Sequence, residues 1–312
     1  MFKKITNSFF GNPKGVIVDN SYDPYVLHQL IKYFTENKIE YLSSQDNDLS
    51  YLKHFKDVSF LSIPNEATNF DELNSLKNLT GLCLYTSSLK NIHSNVLEKI
   101  VYLEIIYDEN IQVDFSQFKA LKYLRINSLK CSEIIITNDL ETIEFNYCKK
   151  ISNLDFLKNI KTIKRIKLDY LPKLENISYL IELSQTLEEL DIWDCTKIRD
   201  LESTLSTLIQ IKNLTINTLE LNSKMHLKNL VFLKDLGNLE TFATNYKIKD
   251  GDLNNLLVLK DANITRFYKN YNLKDKDLPH IDVLINDNGD VKRVELESLA
   301  LGKEDLRIIW LN

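Results

Sequence analysis

Aliphatic residues recur along this chain in triplets spaced three and then two positions apart. The run from Ile163 to Cys195, IKRIKLDYLPKLENISYLIELSQTLEELDIWDC, holds two copies, Ile163/Ile166/Leu168 and Leu187/Leu190/Ile192. An alternation such as Ile166-Lys167-Leu168 predicts a very short strand with one buried face. The looser series between the copies, Leu171, Leu174, Ile177, Leu180 and Leu183, suits a turn of 3₁₀ or α-helix running back on the other side. One such unit cannot cover its own apolar face and must stack on a neighbour like itself.

Neighbours occur nearly everywhere. Val58/Leu61/Ile63, Leu79/Leu82/Leu84, Ile100/Leu103/Ile105 and Leu121/Leu124/Ile126 start 21 residues apart. Leu140/Ile143/Phe145 and, beyond the opening pair, Ile211/Leu214/Ile216 continue the series, with weaker copies at Leu239/Phe242/Thr244 and Ile264/Phe267/Lys269. The later gaps widen, which predicts true helices on the back of the last repeats, over 227–233 and 253–259. Upstream, Val16-Ile17-Val18 reads as a strand. Pro24 then opens a helix whose apolar face is Val26, Leu27, Leu30, Ile31 and Phe34, ended by Asn37. The division that follows is an N-terminal strand–helix cap over 1–38, repeats over 39–277, and a C-terminal cap over 278–312. That last cap reads as a β-hairpin around Asn288-Gly289, a type I′ turn pair, plus a short helix over 303–310. The acidic cluster Asp287–Asp290 lacks the spacing of a calcium loop and reads as the turn itself.

Composition narrows the function. Of 312 residues, 44% are hydrophobic and 27% charged, with a net charge of -5, which disfavours a phosphate-neutralising nucleic-acid binder. No apolar run approaches the roughly 20 residues of a membrane span, and no secretion signal is present. The expected setting is the cytoplasm, with export by a signal-less route as the alternative. Cys83, Cys131, Cys148 and Cys195 have no CxxC spacing and no nearby His, so no metal is expected; Cys148 and Cys195 fall three residues past the last aliphatic of their triplets, a buried turn position. Gly-rich phosphate loops, HExxH and GxSxG are missing, and no cofactor is expected.

The segment from Ile151 to Leu168, ISNLDFLKNIKTIKRIKL, carries the family resemblance: LxxLxxI leading into IxxIxL. It resembles the leucine-rich repeat family, most of all its short-repeat, internalin-like bacterial type. The resemblance covers about residues 39 to 273. It implies an α/β solenoid: a curved array of about ten to eleven repeats, a parallel concave β-sheet, and 3₁₀ or α segments on the convex side. The chain departs from the family where an Asn regularly follows the strand; here that position holds Asp108, Leu129, Cys148, Leu171, Cys195 and Leu219.

Residues skipped by the aliphatics point away from the core, onto the concave face. That rule, with the two residues after each triplet, selects Tyr102, Glu104, Tyr107, Tyr123, Arg125, Glu144 and Tyr147, then Arg165, Lys167, Asp169, Tyr170, Glu189, Asp191, Trp193 and Asp194. Aromatics mixed with Arg and carboxylates are the composition of protein-binding surfaces, and Trp193 is the leading single candidate. The expected function is non-catalytic binding of one protein partner, with no nucleic acid and no membrane, by a chain that is a monomer when free. A regulator of a cytoplasmic protein, or an immunity protein matched to a toxin, fits that expectation. The alternatives are a secreted or surface repeat protein engaging a host or cell-wall ligand and, behind both, an enzyme with an unrecognised site.

Overall fold

The structure, a computed structural model, describes residues 3–5, 13–19, 21, 23–130, 134–219 and 225–280. The expected C-terminal hairpin and final helix lie outside the described residues, as does Cys131. The chain divides into two compact units, 1–150 and 151–312.

In the first unit, β1 (Lys3–Ile5) pairs antiparallel with β2 (Gly15–Val18). Parallel pairing then runs through β3 (Tyr41–Ser44), β4 (Phe60–Ser62), β5 (Gly81–Tyr85), β6 (Tyr102–Ile106), β7 (Tyr123–Asn127) and β8 (Thr142–Asn146). The register stacks like on like: Leu82, Leu103, Leu124 and Ile143 form one ladder, and Leu84, Ile105, Ile126 and Phe145 another. All eight side chains are fully buried. The crossover from β2 to β3 is helix α1 (Pro24–Asn37), capped by the Asp23 carboxylate, which accepts from the amides of Tyr25 and Val26. Lys38 ends it in the left-handed conformation.

In the second unit the parallel order is β9 (Arg165–Asp169), β10 (Glu189–Trp193), β11 (Asn213–Asn217), β13 (Thr241–Thr244) and β15 (Asp261–Ile264). A separate short pair, β12 (His226–Leu227) with β14 (Lys247–Ile248), runs parallel as well. The ladders are Ile166–Leu190–Leu214–Phe242–Ala262 and Leu168–Ile192–Ile216–Thr244–Ile264. Thr244 stands in an aliphatic position because its hydroxyl donates to the Ile216 carbonyl at 2.7 Å.

Two expectations are corrected here. The final triplet is Leu259/Ala262/Ile264, and Phe267 is exposed beyond it. Alanine marks a core position weakly, so the pattern slid to the next large residues. The helices expected over 227–233 and 253–259 are 3₁₀ turns at Val231–Asp235 and Asn254–Leu256, and Leu227 belongs to β12. Spacing explains this. Leu230, Leu233, Leu236 and Leu239 recur every third residue, and each amide bonds the carbonyl three back: Leu233 to Leu230, Leu236 to Leu233, and Leu239 to Leu236. A period of three keeps one face of a 3₁₀ turn buried, whereas an α-helix would rotate it out.

Candidate functional site

The sheet face of the first unit carries three parallel rows set by strand register. The first is aromatic. Tyr41, Phe60, Gly81, Tyr102 and Tyr123 are consecutive neighbours across β3 to β7. Gly81 offers no side chain, so the rings of Phe60 and Tyr102 meet across it edge to face, with centroids 5.7 Å apart. Tyr102 and Tyr123 stack nearly parallel at 4.2 Å. Together with Cys83 and Ile106 these residues form an apolar cluster on the side of the sheet opposite the ladders. Burial, with the charge of nearby Glu104 second, pushes the Cys83 thiol pKa up, so it packs as a neutral group.

The second row is charged. Arg125 donates from Nε to Glu144 at 2.6 Å, and its Nη1 lies 3.7 Å from Glu104. The third row is amide: Asn127 donates to Glu104 at 2.9 Å and accepts from Asn146 at 2.9 Å. Acidic side chains follow just past the strand ends, with Asp46 and Asp48 after β3, Glu66 after β4, and Asp108 and Glu109 after β6. Burial raises the Asp108 carboxyl, but hydrogen bonds from Ser87 and Thr86 outweigh it and hold the group below its ordinary value.

In the second unit Arg165 pairs with Glu189 at 3.0 Å. Lys167 and Thr215 flank Asp191 in register, and Asp169 and Asn217 flank Trp193. Trp193 is half-buried. Among the described residues, neither its Nε1 nor the Oδ1 of Asn217 has a hydrogen-bond partner. Both atoms are closed to solvent, and Asn217 is itself buried.

Most expected residues stand on these faces, and some do not. Tyr107 is 2% exposed and turns into the core. Tyr147 and Tyr170, at the equivalent point after their strands, have left-handed φ of 56° and 55° and are exposed; Tyr107 does not adopt that conformation. Asp194 is also buried: its Oδ1 accepts from the Thr218 hydroxyl and the Leu219 amide, which makes it the anchor of the turn after β10. Asp191 lies on the face by register yet is only 5% exposed, so it forms part of the floor. Tyr41 and Phe60 were missed. Phe60 and Tyr41 occupy the same skipped position as Tyr102, two and three repeats earlier than the columns chosen, and were readable there.

The missing Asn ladder has a substitute. The Cys148 Sγ lies 3.5 Å from the Ile126 carbonyl and 3.4 Å from that of Asn146; Cys195 repeats this with Leu168 and Trp193 at 3.6 and 3.2 Å. Cysteine is the usual alternative to Asn at this point of the leucine-rich repeat. No protein-family model matches the chain. It is 29% identical over 179 residues to an uncharacterised leucine-rich repeat-containing protein of Amsacta moorei entomopoxvirus. Each unit has the leucine-rich repeat fold. The match spans 51% of this chain and 35% of the viral protein, and it bears on the repeat fold rather than on an internalin-like subtype. Among the described residues no group of His, Cys, Asp and Glu is placed to hold a metal ion, and no helix is long and apolar enough to cross a membrane.

Proposed function

We propose that this leucine-rich repeat chain is a non-catalytic module that binds a protein partner through the sheet faces opposite its leucine ladders. The supporting observation is the aromatic row of the first unit, half-buried at Phe60, Tyr102 and Tyr123, with the Glu104–Arg125–Glu144 group beside it. The ladders complete the core without these residues. Aromatics and Arg amid paired charges are the side chains from which interface hot spots are built. Glu104 and Glu144 disfavour a phosphate backbone as the ligand.

Such a face acts by covering a surface of its partner, so we assign the chain the role of regulator or inhibitor, an immunity protein being one instance. We propose a monomer working in the cytoplasm; the buried free thiols Cys83, Cys148 and Cys195 suit a reducing compartment. Affinity capture from the native cell tests the reading. Tyr102→Ala/Tyr123→Ala and Trp193→Ala variants are each expected to lose a partner that the wild type retains. Equal recovery by all three proteins would remove both faces from consideration. Light scattering tests the monomer, and cell fractionation the compartment.

A further inference from the structure

On the first unit's face, two carboxylates share one guanidinium. Arg125 is the sole cation within strands β2 to β8, and it sits close to Glu144, at 2.6 Å, with its Nη1 3.7 Å from Glu104. The group of two carboxylates and one guanidinium carries one net negative charge, and Glu104, which also accepts from Asn127, is only 14% exposed. Attraction at such a site is stronger than at an open surface, because less water screens it. Directly beside Glu104 on β6 stand Tyr102, stacked on Tyr123, and Ile106. Further carboxylates follow past the strand ends, at Asp46, Asp48, Glu66, Asp108 and Glu109, with Lys53 near Asp48.

We infer that the first unit's face receives a cationic segment of the protein partner, with a Lys or Arg side chain laid over the Tyr102–Tyr123 stack and its charge at Glu104. This rests on the protein-binding reading and specifies its ligand. The rings close each other's facing sides, so the aliphatic stem packs along the stack and the cation is drawn to Glu104. The adjoining partner residue is apolar and packs against Phe60 and Ile106. An acidic segment would meet Glu104 and Glu144 as like charges. A second copy of this chain, with its net charge of -5, is a poor electrostatic match.

The test selects a random displayed-peptide library on the full chain, with the highest-ranked sequence then made as a labelled probe for fluorescence anisotropy. The inference requires enrichment of Lys or Arg next to an aliphatic or aromatic residue, and binding that weakens between about 50 and 200 mM salt. Glu104→Gln, nearly identical in shape, is expected to weaken the probe about tenfold, and Tyr102→Ala by a similar factor. Glu104→Lys should recover affinity for a probe whose cation has been exchanged for Glu, which separates charge recognition from damage to the fold. Enrichment of neutral or acidic sequences, no enrichment over a blank surface, or an unchanged affinity in Glu104→Gln each overturn the inference. Neutral peptides that still lose binding in Tyr102→Ala/Tyr123→Ala would leave the protein-binding reading standing. Loss of partner capture in neither face variant would remove both.

Discussion

Single residues after the strands decide which side chains this protein presents. Ser128, Tyr147, Tyr170 and Asp194 all take left-handed φ between 50° and 58°. A residue with a Cβ is strained there by about 1–2 kcal/mol, and Asn tolerates the region best. Tyr147 is 55% exposed, so little packing is lost if it is replaced. Tyr147→Asn is expected to raise stability by up to about 1 kcal/mol in urea titrations. It should also weaken partner binding if the ring touches the partner. Cys195 gives a second residue-scale prediction. Burial pushes its thiol up to about 12, whereas an unfolded thiol ionises near pH ~8.5. The folded value lies above the unfolded one, so this stabilisation is complete below about pH 8.5 and fades as pH climbs toward 12. Unfolding midpoints should therefore fall more steeply with alkaline pH in the wild type than in Cys195→Ala. The buried role of Cys148 and Cys195 was legible from their fixed offset to the triplets. The inward turn of Tyr107 was not, because backbone handedness after a strand leaves no trace in a hydrophobic pattern.

At the level of elements, the period of the apolar residues was the most informative signal, and reading it loosely caused the errors. Strict spacing by three builds the 3₁₀ turns at Val231–Asp235 and Asn254–Leu256, where wide gaps had suggested helices. Strands flanked by large aliphatics could be placed, while β15, resting on Ala262, was placed too late. The aromatic row shows a further element-scale rule. It begins beside Gly15, where an added Cβ would come within 2.6 Å of the Tyr41 ring and 3.0 Å of its carbonyl oxygen. Gly15→Ala should thus displace Tyr41 or the strand, lowering stability by about 1–3 kcal/mol in thermal or urea unfolding. The sequence showed glycine in these columns but not that rings lean over it, since that contact joins neighbouring strands.

For the whole molecule, repetition made the fold readable while the partner stayed hidden, because the faces differ from repeat to repeat where the ladders do not. The exposed pairs Lys212–Glu188 and Lys260–Glu240 are ion pairs of the kind that contribute little to stability. With a pI near 5.7, solubility should pass through a minimum close to that pH, visible as turbidity across a pH series at low salt. One further consequence follows from the stacked tyrosines of the first unit. Parallel phenol rings with centroids 4.2 Å apart couple their electronic transitions, which gives the near-ultraviolet circular dichroism a paired band. A guest that slides onto or between the rings alters that coupling, so vacancy and occupancy of this surface can be told apart optically, without a label.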